Sequence, residues 1–388
     1  MVGMVAKSHA ASTQGTARGT SSKKQGRLGS PPWLHVPGRV RPPIAYCLLV
    51  ILLALAVIFA ASTGAFHVAP AQALTIFLKP VVKLGVEFTA QQEAVLWTIR
   101  LPRVLLGVLV GAGLALAGAA LQGLFRNPLA DPGLIGVSGG AALASALVIV
   151  MGATWFPGLL KLLGPFTLPA AAFAGGLTVT LLVYRLANGE GQTSLDVMLL
   201  AGIAINALVG AGIGVFSYIA TDEELRKLTF WSLGSLGGAN WKALSVAAPC
   251  VLVAAAVLGL QAKGLNALAL GEREAGHLGI QVERLKLAVT ACAALAVGAL
   301  VAVSGIIGFI GLVAPHMVRL ACGPAHSVVL PGAAIIGALL VVLADLAART
   351  LAAPAEIPIG ILTALLGAPF FLGLLVQRQH RFLRCGRC

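Results

Sequence analysis

Nine uncharged runs constrain this chain more than any other feature: 42–78, 104–125, 132–160, 162–184, 197–221, 243–262, 287–318, 320–344 and 357–377. Each supplies the ~20 residues that a helix needs to cross ~30 Å of hydrocarbon. With a mean hydropathy of +0.95, the chain is too apolar for a soluble domain. Strands with alternating polar inner faces are absent, which argues against a membrane barrel. The expected fold class is therefore an all-α polytopic membrane protein.

The net charge of +14 could suggest nucleic-acid binding, but its placement argues otherwise. Residues 1–43 hold seven Lys/Arg and no acid, and residues 378–388 hold four Arg and no acid. Basic ends on a multi-span protein mark the cytoplasmic side. Both termini are thus expected in the cytoplasm, with an even number of spans. Nine runs conflict with that parity. As one helix, 287–318 would stretch roughly 48 Å, and it contains Gly305, Gly308, Gly311 and Pro315. Splitting it into a span and a shorter return helix gives about ten spans, with 132–160 a rival place for the division.

Three regions follow. Residues 1–43, rich in Ser, Gly, Thr and Lys, read as a disordered basic cytoplasmic tail. Residues 44–377 form the ten-span domain, and 378–388 a basic cytoplasmic C-terminal tail that carries Cys385 and Cys388. The first span is expected at about 44–62 and retained, then an outside loop at 63–99 and a second span from near Leu101 to about Leu124. In 126–140, RNPLADPGLIGVSGG, Pro128 and Pro132 cannot continue a helix, and Asp131 suits lipid poorly. That stretch is expected to be a tight cytoplasmic turn.

The spans lack chemistry of their own. Ion-coupled carriers keep ionisable groups inside the membrane, whereas here Asp345 is the one acid near a span interior, with Asp196 and Glu356 at span edges. A nucleotide-binding P-loop needs Gly-Lys before Ser/Thr, and none of the ten lysines follows a glycine. Energy for uphill transport would have to come from another subunit.

A cytoplasmic segment offers a handle for one. Six of the eighteen residues in ALGEREAGHLGIQVERLK (269–286) are charged. On a helix, Leu268, Gly271, Ala275, Leu278, Val282 and Leu285 form a narrow apolar stripe suited to a partner's groove. Gly276 and Gly279 would break it into two short helices. On pattern alone a solvated loop fits equally well.

This segment, with RLPR (100–103), NPLADPGLIGVSGG (127–140), GFIGLVAPHMVRL (308–320) and LPGAAIIGALLVVLADLAART…PAEIPIGILTALLGAPFFLGLL (330–375), resembles the permease family of ABC importers for ferric siderophores, haem and cobalamin, the type II importers. The likeness runs from about 95 to 376. It implies a homodimer, that is, a second copy of this chain, each with about ten spans. Two ATP-binding cassette ATPase subunits would work below it and a periplasmic substrate-binding protein would dock above.

By motif match the coupling segment is 265–286, with Gly271, Glu272, Glu274, Ala275, Leu278 and Gly279 meeting the ATPase. Arg100, Arg103 and Arg349 would face glutamates of the binding protein from the outer side. Asn127, Pro128, Asp131, Pro132, Pro315 and His316 are the gate and turn candidates. The resemblance implies a transport subunit of the bacterial inner membrane, with no enzyme activity, resident cofactor or metal, and no nucleic-acid partner. DEELRKLTFWSLGSLGGANW is closer to the haem branch, so haem is the favoured cargo over a ferric siderophore or other iron chelate. A self-sufficient ion-coupled carrier is the alternative from another class, and a membrane anchor or sensor a weaker third.

Overall fold

In a computed structural model, residues 41–385 are described, except 65, 67, 80–85 and 190, and without the side chains of 78 and 374–385. The expected N-terminal tail therefore falls almost wholly outside the described residues, as does the Cys385/Cys388 pair as a pair of side chains. The chain begins with α1 (Pro42–Ser62), α2 (Pro70–Leu78), α3 (Ala90–Val95) and α4 (Leu101–Leu124). It continues through α5 (Val137–Trp155), α6 (Pro157–Leu163), α7 (Thr167–Ala187), α8 (Leu195–Ile219) and α9 (Asp222–Ser232). Then come α10 (Trp241–Leu260), α11 (Ala262–Leu268), α12 (Glu272–His277), α13 (Val282–Ser304), α14 (Ile310–Cys322), α15 (His326–Thr350) and α16 (Ile359–Cys385).

Eight of these segments are long and apolar enough to cross a membrane, and Ile310–Cys322 and Ile359–Gly373 are shorter apolar helices. The run 287–318 does divide: α13 stops at Ser304, Gly305 takes a left-handed φ of 68°, and α14 starts at Ile310. The rival run also breaks, at Phe156-Pro157, but its second piece joins the following span, Pro157–Ala187. Two expectations need revision. The stretch after the first span is partly helical rather than a plain loop. The second span starts earlier than Leu101, because α3 runs through a π-helical turn at Leu96–Arg100 into α4 as a single segment of 35 residues.

The core gathers on α4, α13 and α15, whose most apolar windows are 78%, 72% and 61% buried, against 17% for α8. In lipid, helices join by close packing rather than by hydrophobicity, and α4 is built for it. A Cβ added at Gly111 would lie 2.1 Å from the Gly337 carbonyl oxygen of α15, and one at Gly118 would lie 2.2 Å from the Gly311 carbonyl oxygen of α14. Ala115, fully buried between them, completes a small-residue face. Gly111→Val should therefore force α4 and α15 apart and cost about 1–3 kcal/mol or more. The check is the melting temperature of the detergent-purified protein; an unchanged value would contradict this packing.

Candidate functional site

The chemistry-bearing residues collect at the two ends of α4. At its start lies a cluster of ions. Arg103 gives its Nε to Asp345 Oδ1 at 2.9 Å and grips Glu356 with both terminal nitrogens, at 2.8 and 3.0 Å. Arg349 Nε lies 3.2 Å from Asp345 Oδ2, an ion-pair approach without hydrogen-bond geometry. Asp345 is almost fully buried, and such an ion is tolerated only when paired.

Arg349, together with Arg100, also holds the end of α1. The last carbonyls of a helix have no intrahelical donor, and the helix dipole favours cations there. Arg100 donates from Nη1 to the carbonyls of Ala61 at 2.9 Å and Ser62 at 2.7 Å, and from Nη2 to that of Phe66. Arg349 donates to Thr63 and Ala60 at 3.0 and 2.9 Å. Arg100, Arg103 and Arg349, expected to face a binding protein's glutamates, are engaged within this chain. Arg100 is buried, and Arg103 and Arg349 have side chains only 11% and 9% exposed, satisfied by acceptors far away in sequence.

Glu356 is the member that reaches solvent, with 45% of its side chain exposed. Its hydrogen bonds from Arg103 hold the carboxyl below its ordinary value. This pairing is fully present above the unfolded glutamate pKa of about 4.3 and is lost as pH falls through the lower folded value. Thermal melts between neutral and acid pH should therefore lose a contribution that Glu356→Gln lacks throughout. Solvent screening limits that contribution to about 1 kcal/mol or less, and parallel pH profiles for the two proteins would contradict it.

At the far end of α4, the turn candidates are brought together. Asn127 Oδ1 accepts the Leu129 N–H at 3.0 Å, and Asp131 Oδ1 accepts the Gly133 N–H at 2.8 Å, capping a 3-10 turn at Pro132–Ile135. Burial pushes the Asp131 carboxyl above its ordinary value. Pro132 packs toward Gly311, and α8 closes on the turn, where Asn206 Nδ2 donates to the Gly133 carbonyl at 2.9 Å. Pro315 is buried inside α14, and His316 stands edge-on to Phe370 at 6.0 Å. Gln122 Nε2 donates to Gly311 at 3.0 Å and its Oε1 accepts from Arg319.

The coupling segment lies alongside. A cavity of about 270 Å³ is lined both by Arg126 and Pro128 of the turn and by Ala269 at the α11–α12 junction. Gly279, at φ 82°, stops α12: the Ile280 N–H returns to the Ala275 carbonyl at 3.0 Å, a closure that wants a left-handed residue. The expected apolar stripe is not one outward face, however. Leu268, Ala275 and Leu285 are buried within the chain, whereas Leu270 and Leu278 are exposed by 69% and 62%. Arg273, Glu274, Gly276, His277 and Gly279 are exposed beside them, and Gly271 and Glu272 are half-buried. The expected break at Gly279 does separate α12 from α13, whereas Gly276 lies inside α12 and a further break falls at 269–271. The extra apolar residues on this segment serve its own anchorage, which a period read from sequence cannot separate from docking.

Sequence reasoning also missed Lys286, 2% exposed, which bonds Glu272, Glu283 and Thr193. Its one signal was a lysine a few residues into an otherwise apolar helix.

Helices of this number and length around a small-residue core define a polytopic α-helical membrane protein. The FecCD transport family matches residues 51–377, and the chain belongs to that family. It is similar to the Hemin transport system permease protein HmuU of Yersinia pestis, 46% identical over 89% of this chain and 99% of that protein. It also resembles the Cobalamin import system permease protein BtuC of Halobacterium salinarum, 43% identical over 81% of each chain. A solved metal-chelate type ABC transporter in an inward-facing conformation superposes with a TM-score of 0.74 at 34% identity, covering 87% of this chain and 99% of that one. The chain is thus a multi-pass ABC permease subunit with that fold, and ATP hydrolysis resides in a separate subunit.

Proposed function

We propose that this permease imports haem across the bacterial inner membrane, as a homodimer fed by a periplasmic binding protein and driven by two ATPase subunits. The observation that carries the cargo is the match along 99% of a hemin permease, against 81% of the cobalamin relative. A cleft of about 760 Å³ favours the same reading, because Phe166, Phe230, Trp231 and Trp241 give it flat apolar walls and Lys242 a cation. A planar, amphipathic, anionic cargo suits such a surface.

The coupling contact falls on the exposed residues of α12 and its flanks, with Ala275 holding the segment from beneath. The cluster of Arg100, Arg103 and Arg349 supports the receptor face by fixing α1, α4 and α15 together rather than by reaching out to a partner. Both termini lie in the cytoplasm on this reading, with the basic ends following the positive-inside trend. In the reconstituted complex, labelled haem should be taken up and out-compete cobalamin and ferric siderophores. Uptake of either competitor in preference to haem would overturn the cargo.

A further inference from the structure

Lys286 sits in the second turn of α13 with all three ammonium donors engaged. They reach the Thr193 carbonyl at 2.7 Å, Glu272 Oε2 at 2.8 Å and Glu283 Oε1 at 2.9 Å. The second oxygen of Glu283 accepts the Thr193 N–H at 2.9 Å. The backbone of one residue is therefore held at both its N–H and its carbonyl. Thr193 is buried and ends a two-stranded hairpin in which Asn188 pairs with Thr193. The next residue, Ser194, is the N-cap of α8. Glu272 is the first residue of α12. One ammonium thus joins α13 to the preceding α12 and to the hairpin before α8, more than ninety residues away.

A buried ammonium held by two carboxylates whose side chains are 39% and 38% exposed is a poor device for stability, since desolvation and solvent screening offset most of the attraction. Its value lies in geometry: it holds its partners at fixed separations. With every donor used, the lysine has no free site for a ligand. What it can do is transmit position. The element it holds, α8, is the least buried of the long helices, and it bears on the 126–135 turn through Asn206 and through Gly202, where an added Cβ would lie 1.8 Å from the Leu134 carbonyl oxygen.

We propose that Lys286 is a positioning residue, the joint through which displacement of α12 moves α8 and the turn it rests on. The proposal rests on the reading that α12 receives the ATPase stroke. Because Lys286 is buried, removing it leaves the exposed docking residues in place.

The test uses the full transporter with its ATPase subunits and binding protein. Lys286→Met with Glu283→Gln should still co-purify with the ATPases and hydrolyse ATP, but import roughly two- to thirtyfold less cargo per ATP, the range of coupling that such internal contacts carry. Lys286→Arg, which keeps the charge and several donors, should recover most of the ratio. A purely structural role would lower the amount of protein and leave the ratio intact. An unchanged ratio would overturn the joint, and so would loss of the ATPase subunits from the double variant, which would make Lys286 an assembly residue.

A second measurement needs no change at Lys286. Spin labels at the exposed positions Gln281, just past α12, and Gln192 should hold one narrow separation in both nucleotide-free and ATP-bound complexes. A separation that differs between the two states sinks the joint even if α12 is the ATPase contact. Failure of the native complex to couple ATP hydrolysis to uptake would instead sink the reading of α12, and the joint with it.

Discussion

Asp345→Ala is expected to cost the folded permease about 3–5 kcal/mol, the largest single loss at the arginine end. The carboxylate lies between Arg103 and Arg349, with only 3% of its side chain exposed. Removing it strands two guanidinium groups in surroundings that strip their water, and each is also a clamp on another element. Arg103 would retain Glu356, but Arg349 would keep only the carbonyls of α1. Such a loss is comparable with the 5–15 kcal/mol stability typical of folded proteins. The expected readout is a sharply lower melting temperature and poor recovery from the membrane. Replacing the whole cluster with apolar residues of similar volume should be far milder. A melting temperature for Asp345→Ala equal to the native one would mean that the ion cluster carries no structural weight.

The second large effect concerns assembly. Leu270→Asp with Leu278→Asp should release the ATPase subunits while leaving the permease folded, because both side chains are exposed on the coupling segment. Exposed leucines flanked by Arg273, Glu274 and His277 have the make-up of a docking anchor, and losing an anchor weakens an interface by about 2 kcal/mol or more, roughly thirtyfold. Ala275→Asp should behave differently. Ala275 is fully buried within the chain, so a carboxylate there would unfold the segment before it disturbed the partner. Co-purification in detergent with a parallel melting curve separates the two. Retention of the ATPases by the double leucine variant would contradict the docking surface.

Much of this architecture was legible in the sequence, for physical reasons. Hydrocarbon demands long uncharged runs, so the spans announced themselves, and the basic ends forced the parity that divided 287–318 where α13 and α14 now separate. Paired prolines marked the turn at 126–132 because they cannot continue a helix. The arginine cluster was not legible. Asp345 and Glu356 lie 242 and 253 residues from Arg103, and such distances erase any local pattern, although the lone acid near a span interior was a hint. The apolar stripe at 268–285 misled for another reason: a period shows that a face is apolar but not what it meets. The early start of the second span was hidden by Glu93 and Arg100, which read as loop residues yet lie in a helix that continues into α4.

Energy for transport enters from outside this chain, and uptake in liposomes tests that most directly. The permease alone, given an ion gradient and cargo, is predicted to transport nothing. Adding its ATPase subunits, its binding protein and ATP should start uptake. Gradient-driven uptake by the permease alone would contradict the central claim.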